Sequence, residues 1–414
     1  MYSWAPTSVP RITPSTAPAK LKLFDTATQS LVEVGPDSGT ARMYVCGITP
    51  YDATHLGHAN TYVTFDLVNR VWRDLGLAVN YTQNVTDVDD PLLERAKQTG
   101  QQWDELAQDQ IELFRTDMEH LRVLPPEHYV GAVESIGIVV ELIEKLAETD
   151  LVYQVDDEEH PDWYFRTNAV DGFGSVSRLT EEEMVDSFRE NGGDPDRPGK
   201  KHPLDSLLWQ FARVGEPAWE SALGAGRPGW HVECVAMSLK HLGPHFDVQG
   251  GGRDLVFPHH EMCAAEACAA TGQPFANAYV HSGLVGLDGE KMSKSKGNLE
   301  LVSRLRKAGK DPMAIRLALL DHHYRADWEW TADQLAEAEQ RLQSWRGILN
   351  NSTAIPADDT IAAMRTALRD DLNAPAALAA VDTWVAASAA VDSDDTGAVP
   401  AMVDAIDALL GIKL

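Results

Sequence analysis

Alternation between strand-like and helix-like segments constrains the fold of this chain more than any other feature. The run ARMYVCGI at residues 41–48 is rich in β-branched and aromatic side chains, which is typical of a strand. Apolar and aromatic residues then recur at helical spacing from Tyr62 until Gly76 ends the pattern, and LAVNYTQNVTD is typical of a second strand. This order predicts a βαβ unit with a parallel sheet and a right-handed crossover.

A second helix is predicted next, with Asp90 as its N-cap, Pro91 at its first position and Gly100 at its end. The fold class is therefore α/β. Ligands of such sheets bind at the carboxyl ends of the strands. The residues expected at that edge are Cys46, Thr49, Asn84 and Thr86.

The alternation of strand-like and helix-like segments is interrupted once. Residues 151–223 contain short strand-like runs and the polar, Gly- and Pro-rich loop ENGGDPDRPGKKHPLD, which indicates an insertion. Alternation then resumes, and helical patterns continue to the end of the chain. The predicted divisions are a flexible leader at 1–20, a split α/β domain at 21–150 and 224–299, the insertion at 151–223, and helical regions at 300–346 and 347–414.

The charge balance argues against a polyanionic partner. The formal net charge is −28, from 35 Lys plus Arg against 63 Asp plus Glu. From residue 351 onward, ten Asp face only Arg365, Arg369 and Lys413. The leader lacks the apolar core of a signal peptide and no later run is long enough to span a bilayer, so we expect a cytoplasmic protein. Four cysteines are too few for a disulfide framework, which leaves metal binding, catalysis or burial open.

Two short motifs have the chemistry of a phosphate site. His55 and His58 flank Leu-Gly at a predicted helix start, where backbone N–H groups and imidazoles suit a polyphosphate. KMSKS at residues 291–295 supplies two lysines that can neutralise a leaving pyrophosphate. Alone, the histidines are typical of capping groups and the lysines of a solvated loop. Both motifs in one α/β chain, more than 200 residues apart, favour the functional interpretation.

These motifs resemble the two signatures of the class I aminoacyl-tRNA synthetases. Within that class, YVCG, NVTDVDD, RPGWHVEC, FPHHE and KMSKSKGN resemble cysteinyl-tRNA synthetases, and the resemblance covers residues 21–324. It implies a Rossmann-type catalytic domain with a parallel sheet, split by an insertion and followed by an α-helical C-terminal region. It also implies catalytic roles for His55, His58, Lys291 and Lys294.

The same resemblance implies one zinc ion held by Cys46, Cys234 and His259, with an open position for the thiolate of the substrate cysteine. From the residues alone, burial of the two cysteines as small apolar side chains would be favoured. The fourth ligand of these synthetases is a glutamate four residues after the histidine, and Cys263 replaces it here. Cys263 can approach the metal, but passive burial is preferred because three thiolates and a substrate thiolate would over-charge the zinc.

Contacts to cysteinyl-adenylate are also implied by resemblance. Trp230 would pack against the cysteine, Asp254 would accept from ribose hydroxyls, and Val285 would line the adenine. For the threonines, ordinary strand or cap chemistry is the alternative. The full implied set is Cys46, Gly47, Ile48, Thr49, Thr61, Asn84, Val85, Thr86, Trp230, Gly252, Arg253, Asp254 and Val285.

The molecule that accepts the cysteine is predicted from two differences between this chain and the cysteinyl-tRNA synthetases. The acidic end of the chain would repel RNA, and both CGITPYDATHLGH and the ENGGDPDRPGKKHPLD loop differ from the tRNA enzymes. They resemble a branch of the family that joins cysteine to the amine of glucosaminyl-inositol in mycothiol biosynthesis. This implies a monomeric ligase for L-cysteine, ATP with Mg²⁺, and glucosaminyl-inositol, without nucleic acid or membrane partners. The alternatives are a cysteinyl-tRNA synthetase with a truncated C-terminus and a catalytically silent binding module.

Overall fold

The computed structural model describes residues 1–13, 20–51, 54–287, 290–291, 299–390 and 393–414, with only the backbone of Glu290 and Lys291. Its strands are β1 Leu21–Asp25, β2 Ser30–Val34, β3 Thr40–Val45, β4 Ala78–Val85, β5 His128–Gly131, β6 Val152–Gln154, β7 Trp163–Phe165, β8 Ser206–Phe211, β9 Gly226–Pro228, β10 Phe246–Gly252, β11 Ala276–Ser282, β12 Val285–Leu287, β13 Glu290–Lys291 and β14 Trp328–Glu329. Its helices are α1 Leu56–Asp74, α2 Asp90–Thr99, α3 Trp103–His120, α4 Ala132–Ala147, α5 Glu181–Glu190, α6 Trp230–Leu242, α7 Glu261–Thr271, α8 Val302–Lys307, α9 Pro312–Leu320, α10 Ala332–Gly347, α11 Asp358–Arg369, α12 Ala374–Ala390 and α13 Ala398–Leu410. Among the helices described, there is none whose length and apolarity would let it cross a membrane.

Five strands form a parallel sheet in the order β11-β10-β3-β4-β5, which confirms the predicted fold class. Strands β3, β4 and β5 lie side by side, whereas β10 pairs with the other edge of β3. The strand order therefore reverses between β3 and β10, where open α/β sheets bind their ligands. Cys46 follows β3, and its N–H donates to the Gly250 carbonyl in β10 at 3.1 Å.

Side-chain alternation along β3 directs successive residues into two different cores. Met43 and Val45 pack with α1 on one face of the sheet. Tyr44 and Cys46 pack with α4, α6 and α7 on the other face. Because α6 carries Cys234 into this second core, the two cysteines meet although they lie far apart in the sequence.

Helix α1 lies in the centre of the molecule, with 15 of its 19 residues buried. A buried ion cluster joins it to the C-terminal helices. Asp66 accepts from Arg70 Nε at 2.7 Å and also from Arg316, and all three side chains are fully buried. Arg316 Nε also donates to the Leu410 carbonyl of α13 at 2.7 Å. The C-terminal helical region is thereby continuous with the catalytic core.

The insertion forms a four-stranded antiparallel sheet, β6-β7-β8-β9, with α5 beside it. Its last strand, β9, lies beyond the boundary predicted at residue 223. The sequence Gly-Arg-Pro has little strand propensity, but Gly226 allows a close approach. A Cβ there would lie 2.3 Å from the Gln210 carbonyl oxygen.

One local prediction differs from the structure. Asp89, not Asp90, is the N-cap of α2, and its carboxylate accepts from the N–H of Asp90 at 2.8 Å. In the predicted leader, Trp4 is buried between Phe114 and Tyr129 and donates to the Val123 carbonyl at 2.7 Å. A large aromatic side chain with a satisfied N–H anchors this segment.

Candidate active site

A cavity of about 260 Å³ opens at the carboxyl ends of β3 and β10. Its wall combines the two parts of the sheet with the start of α1 and of α6. The residues that line it include Cys46, Gly47, Ile48, Thr49, Tyr51, His55, Gly57, His58, Thr61, Tyr62, Trp230, Gly252, Asp254, Leu255, Gly283, Leu284 and Val285. Most of the predicted substrate contacts therefore lie around one cavity.

Cys46, Cys234 and His259 form a buried cluster at the base of this cavity. Their ligand atoms all lie within 4.8 Å of one another, and His259 Nε2 is 3.3 Å from Cys234 Sγ. Trp230 stacks on the His259 ring at 4.1 Å between centroids. Burial raises the pKa of both thiols and holds the pKa of His259 well below its ordinary value. A neutral imidazole beside two thiols is a donor set that suits zinc, whose binding would release the thiol protons.

A chain of hydrogen bonds supports Cys46 from below. His260 Nε2 lies 3.3 Å from Cys46 Sγ, His260 Nδ1 lies 2.7 Å from His281 Nε2, and His281 Nδ1 lies 2.7 Å from Thr26 Oγ1. When Cys46 is a thiolate, one arrangement of protons gives every one of these hydrogen bonds a donor and an acceptor. The Thr26 hydroxyl donates to His281, His281 donates to His260, and His260 donates to the sulfur.

The other imidazole of the cluster has a support of its own. His259 Nδ1 lies 3.0 Å from His231 Nδ1, which leaves His259 Nε2 directed at Cys234. Such outer contacts fix the tautomer of a metal-binding histidine.

Cys263 lies at the edge of the cluster. Its sulfur is 3.9 Å from His259 Nε2, and its thiol donates to the His231 carbonyl at 3.5 Å. It joins His231 and His259 in a second set of close ligand atoms, whereas the first set consists of Cys46, Cys234 and His259. Cys263 is therefore buried beside the cluster, and its passive role stays a prediction.

The paired histidines lie at the N-terminus of α1. His55 is the N-cap, with its Nδ1 accepting from the His58 N–H at 3.3 Å, and the two rings stack at 3.7 Å. Gly57 makes this stacking possible, because a Cβ there would lie 2.9 Å from the His55 ring. The two imidazoles and the helix N-terminus face the same cavity.

The β4 residues of the prediction reach the cavity indirectly. Asn84 Oδ1 accepts from the Gly47 N–H at 2.7 Å, and Asn84 Nδ2 donates to Thr86 Oγ1 at 3.2 Å. Gly47 is packed so closely that a Cβ would lie 1.6 Å from the Asn84 carbonyl oxygen. The side chain of Val85 is fully buried in the core shared with α1, so it does not face the cavity.

The remaining predicted residues lie on the cavity wall, away from it, or outside the part of the chain that the structure describes. Thr61 lines the cavity and its hydroxyl is 2.8 Å from that of Ser282. Arg253 points away and pairs with Asp327. Lys294 lies outside the described residues, and Lys291 is described only as backbone in β13.

Three supporting residues were not predicted from the sequence. These are Gln249, whose Nε2 is 3.7 Å from Cys46 Sγ, His260, and Tyr62, whose hydroxyl donates to the Cys46 carbonyl at 3.1 Å. His260 directly follows His259, a predicted metal ligand, and this adjacency is the feature of the sequence that could have identified it. Gln249 is a fully buried polar residue in β10, which is also informative.

Comparisons with known proteins give the family, the relatives and the fold neighbours of this chain. The family of tRNA synthetases class I (C) catalytic domains matches residues 33–340. Proteins named L-cysteine:1D-myo-inositol 2-amino-2-deoxy-alpha-D-glucopyranoside ligase are 60% identical in Streptosporangium roseum, 58% in Kribbella flavida and 58% in Nocardia farcinica, each over 100% of both chains.

Solved structures show the same fold at low sequence identity. A Mycobacterium tuberculosis methionyl-tRNA synthetase with methionyl-adenylate has a TM-score of 0.61 at 14% identity, over 90% of this chain and 89% of that one. A leucyl-tRNA synthetase in a ternary complex, from Agrobacterium radiobacter K84, has a TM-score of 0.67 at 12% identity, over 92% and 84%.

Proposed function

The chain belongs to the class I (C) tRNA synthetase family and, within it, to the L-cysteine:1D-myo-inositol 2-amino-2-deoxy-alpha-D-glucopyranoside ligases, and from this premise we propose its reaction. It joins L-cysteine to the amine of glucosaminyl-inositol, with ATP converted to AMP and pyrophosphate. The observation that carries the proposal is a single cavity lined both by Cys46 of the thiol–imidazole cluster and by the His55–His58 pair. One end suits a thiol amino acid and the other suits a polyphosphate.

Zinc is the metal that we assign to the cluster. Cys46, Cys234 and His259 would hold it, and this donor set of two thiolates and one imidazole fits zinc with one position open. Zinc bound there would favour a thiolate over a hydroxyl, which separates cysteine from serine without a proofreading step. Trp230, stacked on His259 and lining the cavity, would pack against the same substrate.

The first step is activation of the cysteine carboxylate. One carboxylate oxygen attacks the α-phosphorus of ATP, a P–O bond forms, and the bond to pyrophosphate breaks. His55, His58 and the N-terminus of α1 would stabilise the phosphate charge, together with Lys291 and Lys294 and with Mg²⁺ carried by ATP. Gly252, Asp254 and Val285 would hold the nucleoside. The product is cysteinyl-AMP.

The second step is aminolysis. The sugar amine, having lost its ammonium proton, attacks the carbonyl carbon of cysteinyl-AMP. The C–O bond to the phosphate breaks, AMP leaves, the nitrogen releases one proton to solvent, and an amide forms. Thr49 and Asn84, the latter through Gly47, lie where they would orient the cysteine end of the intermediate.

A small-molecule acceptor is favoured over tRNA by the charge of the chain. The net charge of −28, with an acidic C-terminal region, opposes binding of a polyanion. The names of the relatives point to the same acceptor.

Product analysis tests the proposal. The protein is incubated with ATP and cysteine together with either glucosaminyl-inositol or bulk tRNA, and products are identified by mass spectrometry while AMP release is followed. We expect cysteinyl-glucosaminyl-inositol with stoichiometric AMP. Formation of cysteinyl-tRNA, with the amino-sugar unchanged, would overturn the assignment in favour of the tRNA enzyme.

A further inference from the structure

Arg253 and Asp327 form an ion pair beside the nucleotide end of the cavity. Arg253 Nη1 donates to Asp327 Oδ2 at 2.6 Å, and the same guanidinium donates to the Arg325 carbonyl. The other oxygen of the carboxylate, Asp327 Oδ1, accepts from the backbone N–H of Leu284 at 2.8 Å. One carboxylate therefore contacts two separate segments.

Both of these segments belong to the cavity wall. Arg253 stands between Gly252 and Asp254, which line the cavity at the end of β10. Leu284 lines it from the connection between β11 and β12. Asp327 thus bridges the turn expected to hold the ribose and the backbone expected to lie against the adenine.

The segment that carries Asp327 is itself firmly joined to the second wall. The Gly283 N–H donates to the Tyr324 carbonyl at 2.6 Å, and the Trp328 N–H donates to the Leu284 carbonyl at 3.1 Å. A Cβ at Gly283 would lie 2.0 Å from the Ala326 carbonyl oxygen, so this contact needs a glycine. The backbone around Asp327 is consequently held in place, and its carboxylate can hold the turn at 252–254 that is expected to contact the ribose.

The contribution of this pair to folding is small. The side chains of Arg253 and Asp327 are 45% and 53% exposed, and exposed ion pairs add little to stability. Its geometry is therefore better explained by the distance it maintains between the two walls than by the stability of the fold.

We propose that Asp327 is a positioning residue for the nucleotide and that Arg253 acts as its partner rather than as a substrate contact. Asp327 sets the separation between the 252–254 turn and the Leu284–Val285 backbone, and thereby the affinity for ATP. This inference rests on the proposed function only in taking ATP as the nucleotide. It extends the site to a residue outside the cavity wall.

The test compares Asp327→Ala with Asp327→Asn and Arg253→Ala. Asp327→Ala removes both contacts, and we expect the KM for ATP to rise about tenfold, with kcat and the KM for cysteine within about twofold of wild type. Asp327→Asn retains an acceptor for the Leu284 N–H, so its KM should rise less. Arg253→Ala should resemble Asp327→Asn, and the double variant Arg253→Ala/Asp327→Ala should be no worse than Asp327→Ala.

Asp196→Ala is the control, because Asp196 also makes an exposed ion pair with an arginine, Arg189, in the insertion and away from the cavity. It should leave the KM for ATP unchanged. Binding of a non-hydrolysable ATP analogue, measured by calorimetry, needs no acceptor and separates this proposal from the identity of the sugar substrate. Unchanged analogue affinity in both Asp327→Ala and Asp327→Asn would overturn the proposal. So would an equal rise in the KM values for ATP and cysteine.

Discussion

Cys46 is the residue at which strand geometry and ligand chemistry coincide. Alternation along β3 turns its side chain to the α6 and α7 face, where Cys234 and His259 are buried. The backbone of Cys46 is fixed independently by hydrogen bonds from its N–H and to its carbonyl. The fold itself therefore sets the position of the Cys46 backbone.

Replacing that sulfur should abolish two properties at once. In Cys46→Ser we expect bound zinc to be lost and cysteine binding to weaken at least tenfold, because a hydroxyl is a poor ligand for the metal. Elemental analysis and cysteine titration measure the two effects. Cys268→Ser, at a partly buried position outside the cluster, is the control and should retain both. A Cys46→Ser protein that keeps its metal and its affinity for cysteine would refute the site.

A buried carboxyl group gives a second prediction about a single residue. Glu266 is fully buried, its Oε1 accepts from Ser206 Oγ at 2.7 Å, and burial raises its pKa from 4.5 to about 8. The folded protein holds this proton more tightly than the unfolded chain, so the free energy of unfolding falls as pH rises from about 4.5 to about 8. Glu266→Gln should remove that part of the decline.

Urea unfolding at pH 5.5 and pH 8.5 measures this difference. The stability of Glu266→Gln relative to wild type should increase from the lower pH to the higher one. Glu182→Gln, on an exposed turn of α5, should follow wild type at both pH values. Parallel pH profiles for wild type and Glu266→Gln would show that the carboxyl is ionised throughout.

Among the elements, the central sheet and α1 were the most predictable from the sequence. Their apolar periodicity is strong and their ends carry glycine signals, such as Gly76 with φ +82°. β9 was missed because Gly-Arg-Pro pairs through close backbone approach rather than through strand-forming side chains. The N-cap of α2 was displaced by one residue because adjacent aspartates give the same cap signal.

The close contact between Gly47, in the loop after β3, and Asn84 of β4 leads to a prediction about how these two elements pack. A Cβ at Gly47 would collide with the Asn84 carbonyl oxygen, so Gly47→Ala should separate the loop from β4 and reduce adenylation at least 100-fold. Cysteine-dependent pyrophosphate exchange measures it. Gly137→Ala, in α4 where a Cβ meets no atom within 4 Å, should retain activity and gain up to about 1 kcal/mol of stability. Full exchange activity in Gly47→Ala would contradict the predicted contact.

For the whole molecule, the fold class predicted from the sequence is confirmed, whereas the assembly around α1 was not predicted. The zinc set was predicted only through family resemblance, since Cys46, Cys234 and His259 lie in three separate segments of the sequence. Arg253 was assigned to the substrate by family resemblance, together with Gly252 and Asp254, whereas its long side chain pairs with Asp327. Contacts of this kind depend on tertiary packing that periodicity does not encode.

The buried ion cluster joins α1 to the C-terminal region, so we expect the two parts to unfold together. Asp66→Asn would leave Arg70 and Arg316 buried without their counter-charge, and we expect a loss of about 3–5 kcal/mol in the free energy of unfolding. Denaturant unfolding should show a single destabilised transition. Asp186→Asn, which affects an exposed pair with Arg189, should change stability by less than about 1 kcal/mol. An unchanged midpoint in Asp66→Asn would exclude this cluster as a main link.

The central claim is that cysteine binds through its sulfur to a metal held by Cys46, Cys234 and His259. Optical spectroscopy of the cobalt-substituted protein tests it most directly, because thiolate–cobalt bands report each added sulfur ligand. Addition of cysteine should intensify and shift these bands, whereas serine at the same concentration should leave them unchanged. Identical spectra with and without cysteine, in a protein that still binds cysteine, would contradict the account.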